Sequence, residues 1–163
     1  KFMVNGALTI GTRDGANIEI FKEAGEENAF VFGLTTEEIQ KIENEHLYNP
    51  HQYLERNPAL AKVIAQLIDG TYDPSHQIFK EIHDSLVYGV EGQRPDVYYL
   101  LADFDLYVKA QEKIAECYVD KKAWAKKALI NIANSGKFSS DRTIEDYVKD
   151  IWHLNKVKVE MPL

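Results

Sequence analysis

Two short apolar runs near the start of the chain, separated by a polar stretch, predict a strand, a helix and a second strand. Ala7 to Thr12 and Ala29 to Gly33 are brief apolar segments bounded by turn-forming residues, as in short buried strands. The stretch between them begins with the capping residue Asn17, carries Glu19 in its first turn and stops at Gly25, which predicts a short helix. This order is the minimal parallel crossover, so we expect an α/β sheet here.

The following stretch has helical periodicity. Residues 35–38 (TTEE) predict a helix with a hydroxyl N-cap and acidic first-turn residues, and Pro50 and Pro58 divide the next segment into separate helices. Residues 59–68 place five apolar side chains on one helical face, which we expect to belong to the core. These side chains are Leu60, Val63, Ile64, Leu67 and Ile68.

The middle of the chain contains the least regular pattern. A polar turn at residues 70–74 precedes a helix whose apolar positions lie between Ile78 and Val87. Gly89 to Pro95 is polar and glycine-rich, which predicts an exposed loop. The apolar residues Val97 to Leu101 then suggest a short strand.

The last third predicts three helices. Apolar residues repeat at helical spacing over residues 104–118 and again over residues 124–132. Residues 139–141 (SSD) supply N-cap chemistry for a final helix that continues through Trp152. The sequence contains no internal repeat.

Composition favours one compact domain and excludes several classes of partner. The chain has 163 residues, of which 45% are hydrophobic, and a formal net charge of −7, which disfavours nucleic acid and anionic membranes as partners. No apolar run approaches the roughly 20 residues that span a bilayer, so we expect a soluble protein. Cys117 is the single cysteine, which suits a cytoplasmic protein without disulfides. Because the first residue is Lys1 and the opening is already patterned as domain interior, we expect a fragment of a longer protein.

No catalytic constellation or metal site stands out from the residues alone. The acidic pairs at residues 26–27 and 37–38 lie at predicted helix boundaries, where carboxylates stabilise the helix dipole. The glycines at positions 6, 11 and 15 match neither the dinucleotide fingerprint nor the Walker loop. The histidines lack helical pairing and a neighbouring nucleophile, so we expect structural or surface positions for them. They are His46, His51, His76, His83 and His153.

The segment at residues 135–142 (SGKFSSDR) allows two interpretations. Its two cations, three serines and glycine precede a predicted helix, a composition that could hold an anion at the helix amino end. Alternatively, the segment is a turn between helices in which Asp141 or Thr143 caps the final helix. We favour the cap.

Two blocks at opposite ends of the chain resemble the α-glucan phosphorylases. Lys1 to Ile20 (KFMVNGALTIGTRDGANIEI) is similar to their pyridoxal-phosphate attachment region, and Asn131 to Trp152 is similar to their carboxy-terminal block. Residues 22–28 and 102–114 are also similar, in the same order and spacing. Val4 replaces the Leu or Met usual in the attachment signature, which is a conservative packing change.

The resemblance implies a fold and a function. It implies the carboxy-terminal part of the second, cofactor-binding domain (residues 1–163) of a two-domain glycosyltransferase with Rossmann-like halves, mostly helical after the strand-helix-strand unit. The intact enzyme would release glucose 1-phosphate from an α-glucan with inorganic phosphate, as a cytoplasmic homodimer. Lys1 would hold pyridoxal 5′-phosphate, and no other residue here is carried over as catalytic. Asp14, Asn17 and Glu19 match the motif, but we expect them to shape the turn and the following helix.

Two alternatives are weaker. The first alternative is that the chain is a stand-alone helical interaction domain of the same ancestry. The abrupt apolar start of the sequence argues against this hypothesis. The second alternative is a nucleotide-sugar glycosyltransferase of the same architecture, but such an enzyme would not need the lysine-containing motif KFMVNGAL. On the favoured interpretation, we expect the chain by itself to be inactive, because the groups that hold phosphate and sugar lie mainly upstream.

Overall fold

The computed structural model describes residues 1–155 and 157. It is mostly helical and contains one small parallel sheet. In chain order the elements are β1 (Ile10–Thr12), α1 (Ala16–Ala24), β2 (Phe30–Phe32), α2 (Thr36–Asn44), α3 (Pro50–Arg56), α4 (Pro58–Ala65), α5 (Lys80–Val87), α6 (Leu100–Val119), α7 (Lys121–Asn134) and α8 (Ser140–Asp146). Short 3-10 turns lie at Met3–Asn5, Glu26–Asn28 and Ser135–Phe138.

The predicted parallel crossover is confirmed. β1 and β2 pair in parallel, with Ile10 opposite Phe30 and Thr12 opposite Phe32, although β1 is shorter than the predicted strand. The assignment of Asn17 as the helix cap was wrong. Gly15, with φ +52°, precedes α1 and provides no side-chain cap, while the Asn17 amide donates a hydrogen bond back to the Thr12 carbonyl.

The predicted starts of three further helices are also confirmed. The Thr35 hydroxyl accepts a bond from the Glu38 backbone N–H while the Glu38 carboxylate accepts one from the Thr35 N–H, a complete capping box. Pro50 and Pro58 each occupy the first turn of a helix, where a missing N–H costs no helical bond. Asparagine side chains cap both of these helices.

The core of the helical part forms where α4, α5 and α6 meet. Leu60, Ile64, Val87 and Leu101 are buried against one another, and Leu67 is half-buried beside them. Val63 was predicted to share this core but remains 47% exposed, so the apolar face of α4 is only partly covered.

The strand predicted at Val97–Leu101 is wrong, because α6 begins inside it. Asp96 is buried, and its carboxylate accepts hydrogen bonds from the backbone N–H groups of Leu100 (2.9 Å) and Leu101 (2.8 Å). It also accepts a bond from the Tyr48 hydroxyl. The carboxylate satisfies the first free donors of α6 and starts a helix in apolar sequence. Residues 91–94 before it are exposed, as the loop prediction required.

The carboxy-terminal helices follow the predicted pattern. α7 packs against α6, α1 and the Met3–Asn5 turn. Asn131, which is fully buried, donates one bond to the Asn28 carbonyl (2.9 Å) and thereby ties α7 to the chain just before β2. α8 continues as a π-helical turn over Tyr147–Trp152, so the helical path reaches Trp152 as predicted.

Candidate functional site

Lys1 lies at a groove between the first twenty residues and residues 135–139. The groove encloses about 670 Å³ and is open to solvent, a volume within the range of small-molecule sites. Its walls come from the first four residues, from Thr9 just before β1, from α1, and from the Ser135–Phe138 turn with the following Ser139. They are lined by Lys1, Phe2, Met3, Val4, Thr9, Asn17, Ile20, Ser135, Gly136, Phe138 and Ser139. We call this the Lys1 groove.

The segment that carries Lys1 is anchored on α7. Met3 is buried, and its carbonyl accepts a hydrogen bond from the Gly6 N–H (3.0 Å). Gly6 has φ +78°, and a Cβ placed on it would lie 3.3 Å from Ile132 Cδ1, so glycine permits both the backbone turn and the close approach to α7. The Asn5 side chain donates to the Lys1 carbonyl at 2.7 Å.

The opposite wall is the segment for which anion binding was considered. Both of its cations have carboxylate partners: Lys137 lies 4.0 Å from Glu23, and Arg142 pairs with Asp146. The cap of α8 is Ser139, whose hydroxyl accepts from the Asp141 N–H at 3.2 Å. The assignment of the cap to Asp141 or Thr143 was therefore wrong, although the interpretation of the segment as a capped turn is confirmed.

The three motif residues downstream of Lys1 occupy structural positions. The Asp14 carboxylate accepts from the Gly15 N–H at 2.7 Å and shapes the turn after β1. Asn17 binds the Thr12 carbonyl and lines the Lys1 groove. Glu19 is exposed in the first turn of α1, where it suits the helix dipole. Asn17 is the one of the three that reaches the groove.

A second cavity of about 670 Å³ lies at the carboxyl ends of both strands. Asp14, Tyr98 and Asp103 are among its lining residues. The Asp103 carboxylate accepts a bond from the Leu34 N–H (2.8 Å), but burial outweighs this bond and raises the pKa of the Asp103 carboxyl. The carboxyl ends of parallel strands are the usual place for ligands in open α/β sheets.

Three of the five histidines have polar partners close in sequence, and His46 and His51 are exposed. His83 is buried with Nδ1 2.9 Å from an Asp84 carboxylate oxygen, and His76 and His153 contact backbone carbonyls through Nδ1. Across residues 1–155 and 157, no group of three or more His, Cys, Asp or Glu side chains could hold a metal ion. No helix in this same part of the chain is both long and apolar enough to cross a membrane.

The Lys1 groove therefore brings together a lysine, two backbone turns (Met3–Asn5 and Ser135–Phe138) and the hydroxyl-bearing residues Thr9, Ser135 and Ser139. Sequence reasoning identified Lys1 and the segment at residues 135–142 separately but did not place them together. The available signal was that both belong to the blocks that carried the family resemblance. An amine at a ligand-sized groove can bond covalently to an aldehyde and orient the bound group.

These features define an α/β protein segment, helical beyond one parallel crossover, with a lysine at a ligand-sized groove. The chain belongs to the carbohydrate phosphorylase family, whose profile matches residues 1–154. The resemblance drawn from the two terminal blocks is thus confirmed.

Three relatives illustrate the similarity. The chain is 42% identical to the muscle form of glycogen phosphorylase from Mus musculus and 43% identical to that from Homo sapiens, over 163 residues and 99% of this chain. It is 43% identical to the liver form from Bos taurus over 164 residues, covering 100% of this chain. The aligned part is 18% of each relative, so the chain spans about a fifth of the length of these proteins.

Proposed function

We propose that this chain is the carboxy-terminal part of the cofactor-binding domain of an α-1,4-glucan phosphorylase. The whole enzyme would be a glycosyltransferase that uses inorganic phosphate to release glucose 1-phosphate from glycogen or a maltodextrin. The observation that carries the proposal is the position of Lys1. This residue begins the attachment motif and lies at the groove between the two sequence blocks that resemble the family. Family membership over residues 1–154 supports the reaction class.

In this proposal Lys1 holds pyridoxal 5′-phosphate through its ε-amine. This amine is the group that would hold the aldehyde of the cofactor covalently, with the loss of one water. The groove is large enough for one substituted ring, and the Asn17 amide and the Ser135 and Ser139 hydroxyls supply polar groups at its walls, so the residues present fit the group. When bound, the cofactor would supply its phosphate group for proton transfer to the substrate phosphate. This chain's part is to fix the lysine and one side of the site.

The groove also explains why the chain alone should be inactive. Phe2, on the wall beside Lys1, is 83% exposed, so water reaches the site freely. A phosphorylase must position glucan and phosphate together, and positioning supplies much of an enzyme's rate. We expect no glucose 1-phosphate above the buffer blank when the 163-residue chain is incubated with phosphate and maltodextrin. Turnover by the chain alone would contradict its assignment as a fragment.

The cofactor assignment is tested in the full-length protein. Borohydride reduction followed by peptide mapping should find the cofactor on the Lys1 side chain, and Lys1→Ala should remove both the bound chromophore and the activity. Lys126→Ala is the control, because Lys126 is an exposed lysine on α7 that does not line the groove. If Lys1→Ala retains cofactor and activity, the cofactor lysine lies elsewhere and the proposal fails.

Three broader features follow from the same proposal. The parallel crossover of β1, α1 and β2 would be the end of a Rossmann-like half of a two-domain enzyme. The whole enzyme would be a cytoplasmic homodimer. Sedimentation of the full-length protein at micromolar concentration tests the dimer, and a monomer under conditions of full activity would contradict it.

A further inference from the structure

Asn5 is hydrogen-bonded through its side chain to the backbone of Lys1. Within the described residues, the Asn5 side-chain amide donates to the Lys1 carbonyl at 2.7 Å, while the Asn5 backbone N–H donates to the Phe2 carbonyl at 3.0 Å. The side-chain bond of Asn5 therefore ends on Lys1, one residue before Phe2, which accepts the backbone bond of Asn5. Lys1 itself precedes the Met3–Asn5 turn and is fixed to it through this amide.

The rest of the turn gives Asn5 a rigid base. Met3 is buried, the Ala7 N–H donates to the Phe2 carbonyl at 3.1 Å, and Gly6 lies against Ile132 of α7. A hydrogen bond from this base to the Lys1 carbonyl restricts rotation about the bonds next to the Lys1 Cα. The direction in which a side chain leaves the backbone depends on those rotations. The Asn5 bond thus restricts where the Lys1 side chain enters the groove.

We propose that Asn5 is a positioning residue for the cofactor lysine, acting through its side-chain hydrogen bond to the Lys1 carbonyl. The inference rests on the proposed function of Lys1. Asn5 does not line the groove and need not touch the cofactor. The hydrogen bond reduces the number of backbone conformations that Lys1 populates before the cofactor binds. Less conformational entropy is then lost on binding, so this preorganisation favours binding.

The size of the effect follows from one hydrogen bond. A neutral hydrogen bond contributes about 1 kcal/mol net, which corresponds to about a fivefold change in the population of the held conformation. Removing the amide in the full-length enzyme should therefore raise the half-saturating pyridoxal phosphate concentration of the apoenzyme about fivefold. The induced circular dichroism of the bound chromophore should also weaken, because the linkage samples more orientations.

The experiment compares Asn5→Ala with Asn134→Ala in the full-length enzyme. Asn134 makes the same kind of bond, from its side-chain amide to the Ile130 carbonyl at 2.8 Å, but it does not line the groove and lies on α7. Reconstitution with pyridoxal phosphate and the chromophore dichroism should change for Asn5→Ala and stay at the wild-type level for Asn134→Ala. Asn5→Gln retains an amide donor and should recover part of both signals.

The alternative is that Asn5 only stabilises the turn. In that case Asn5→Ala would lower the melting temperature of the apoenzyme and leave the affinity and dichroism per bound cofactor unchanged, which would overturn the proposal. Equal losses in Asn5→Ala and Asn134→Ala would overturn it as well. Should the alanine variant not fold, Asn5→Leu keeps a side chain of similar size without a donor or a charge and gives the same comparison. A Lys1→Ala enzyme that still binds cofactor refutes the proposed function of Lys1 and does not test the role of the Asn5 hydrogen bond.

Discussion

Replacing Asp96 with alanine should be one of the most destabilising changes in the chain. Asp96 is 2% exposed, and its carboxylate accepts bonds from the N–H groups of Leu100 and Leu101 and from the Tyr48 hydroxyl. Burial and the hydrogen bond to Asp96 raise the pKa of the Tyr48 hydroxyl, so this hydroxyl remains a donor throughout the physiological pH range. The substitution removes the carboxylate that accepts the first free N–H groups of α6. It leaves the buried Leu101 N–H and the partly buried Leu100 N–H and Tyr48 hydroxyl without this acceptor.

The magnitude follows from the three bonds. A hydrogen bond to a charged group contributes about 1.5–3 kcal/mol, and such bonds to one carboxylate are not additive, so Asp96→Ala should cost about 4 kcal/mol. Asp96 also has φ +44°, where alanine is less favourable than aspartate. Asp96→Asn keeps one acceptor oxygen and tolerates this backbone, so its cost should be smaller.

Urea unfolding of the 163-residue chain, followed by Trp fluorescence and far-UV circular dichroism, measures these costs. Asp120→Ala is the matched control, because the Asp120 carboxylate also accepts two backbone bonds at a helix start, from Lys122 and Ala123, but is exposed. It should cost about 1 kcal/mol. If Asp96→Ala costs no more than Asp120→Ala, burial of the carboxylate does not govern the start of α6.

Three further predictions concern single positions. Ser139→Ala should lower the unfolding free energy by about 1 kcal/mol while Asp141→Ala has less effect, because the Ser139 hydroxyl caps α8; thermal melts that rank the two in the opposite order would contradict this. Gly6→Ala should be more destabilising than Gly92→Ala in the same melts, since both glycines have φ +78° but only an added Cβ at Gly6 meets α7; equal costs would show that backbone strain alone matters. Burial raises the pKa of the Asp103 carboxyl in the folded state. As the pH rises above the carboxyl pKa of the unfolded chain, about 3.9, ionisation of Asp103 therefore lowers the stability of the folded state. A neutral asparagine at this position does not lose stability in this way. The stability of Asp103→Asn relative to wild type should therefore increase from pH 3 to pH 7 in urea titrations, and a difference independent of pH would refute the argument.

Local signals predicted most of the helix starts correctly. The Thr35–Glu38 capping box and the prolines at positions 50 and 58 act on backbone groups within a few residues of themselves, so their effect can be read from adjacent sequence. The same reasoning failed where a local signal had a stronger competitor. Asn17 has the chemistry of a cap, but its amide binds the Thr12 carbonyl, and Gly15 takes the position before α1.

The sequence by itself determined the parallel crossover, the helical remainder and the family resemblance on which the proposal for Lys1 rests, because periodicity, capping and sequence motifs are properties of neighbouring residues. Only the tertiary structure decided which apolar faces are covered and which distant segments meet. Val63 has the spacing of a core residue, yet it is 47% exposed in the absence of a covering element among the described residues. Ser139 and Lys1 share a groove because α7 packs against both the Met3–Asn5 turn and the Ser135–Phe138 turn. The proximity of Lys1 and Ser139 depends on the path of the whole chain between these two residues, which cannot be predicted from any local sequence pattern.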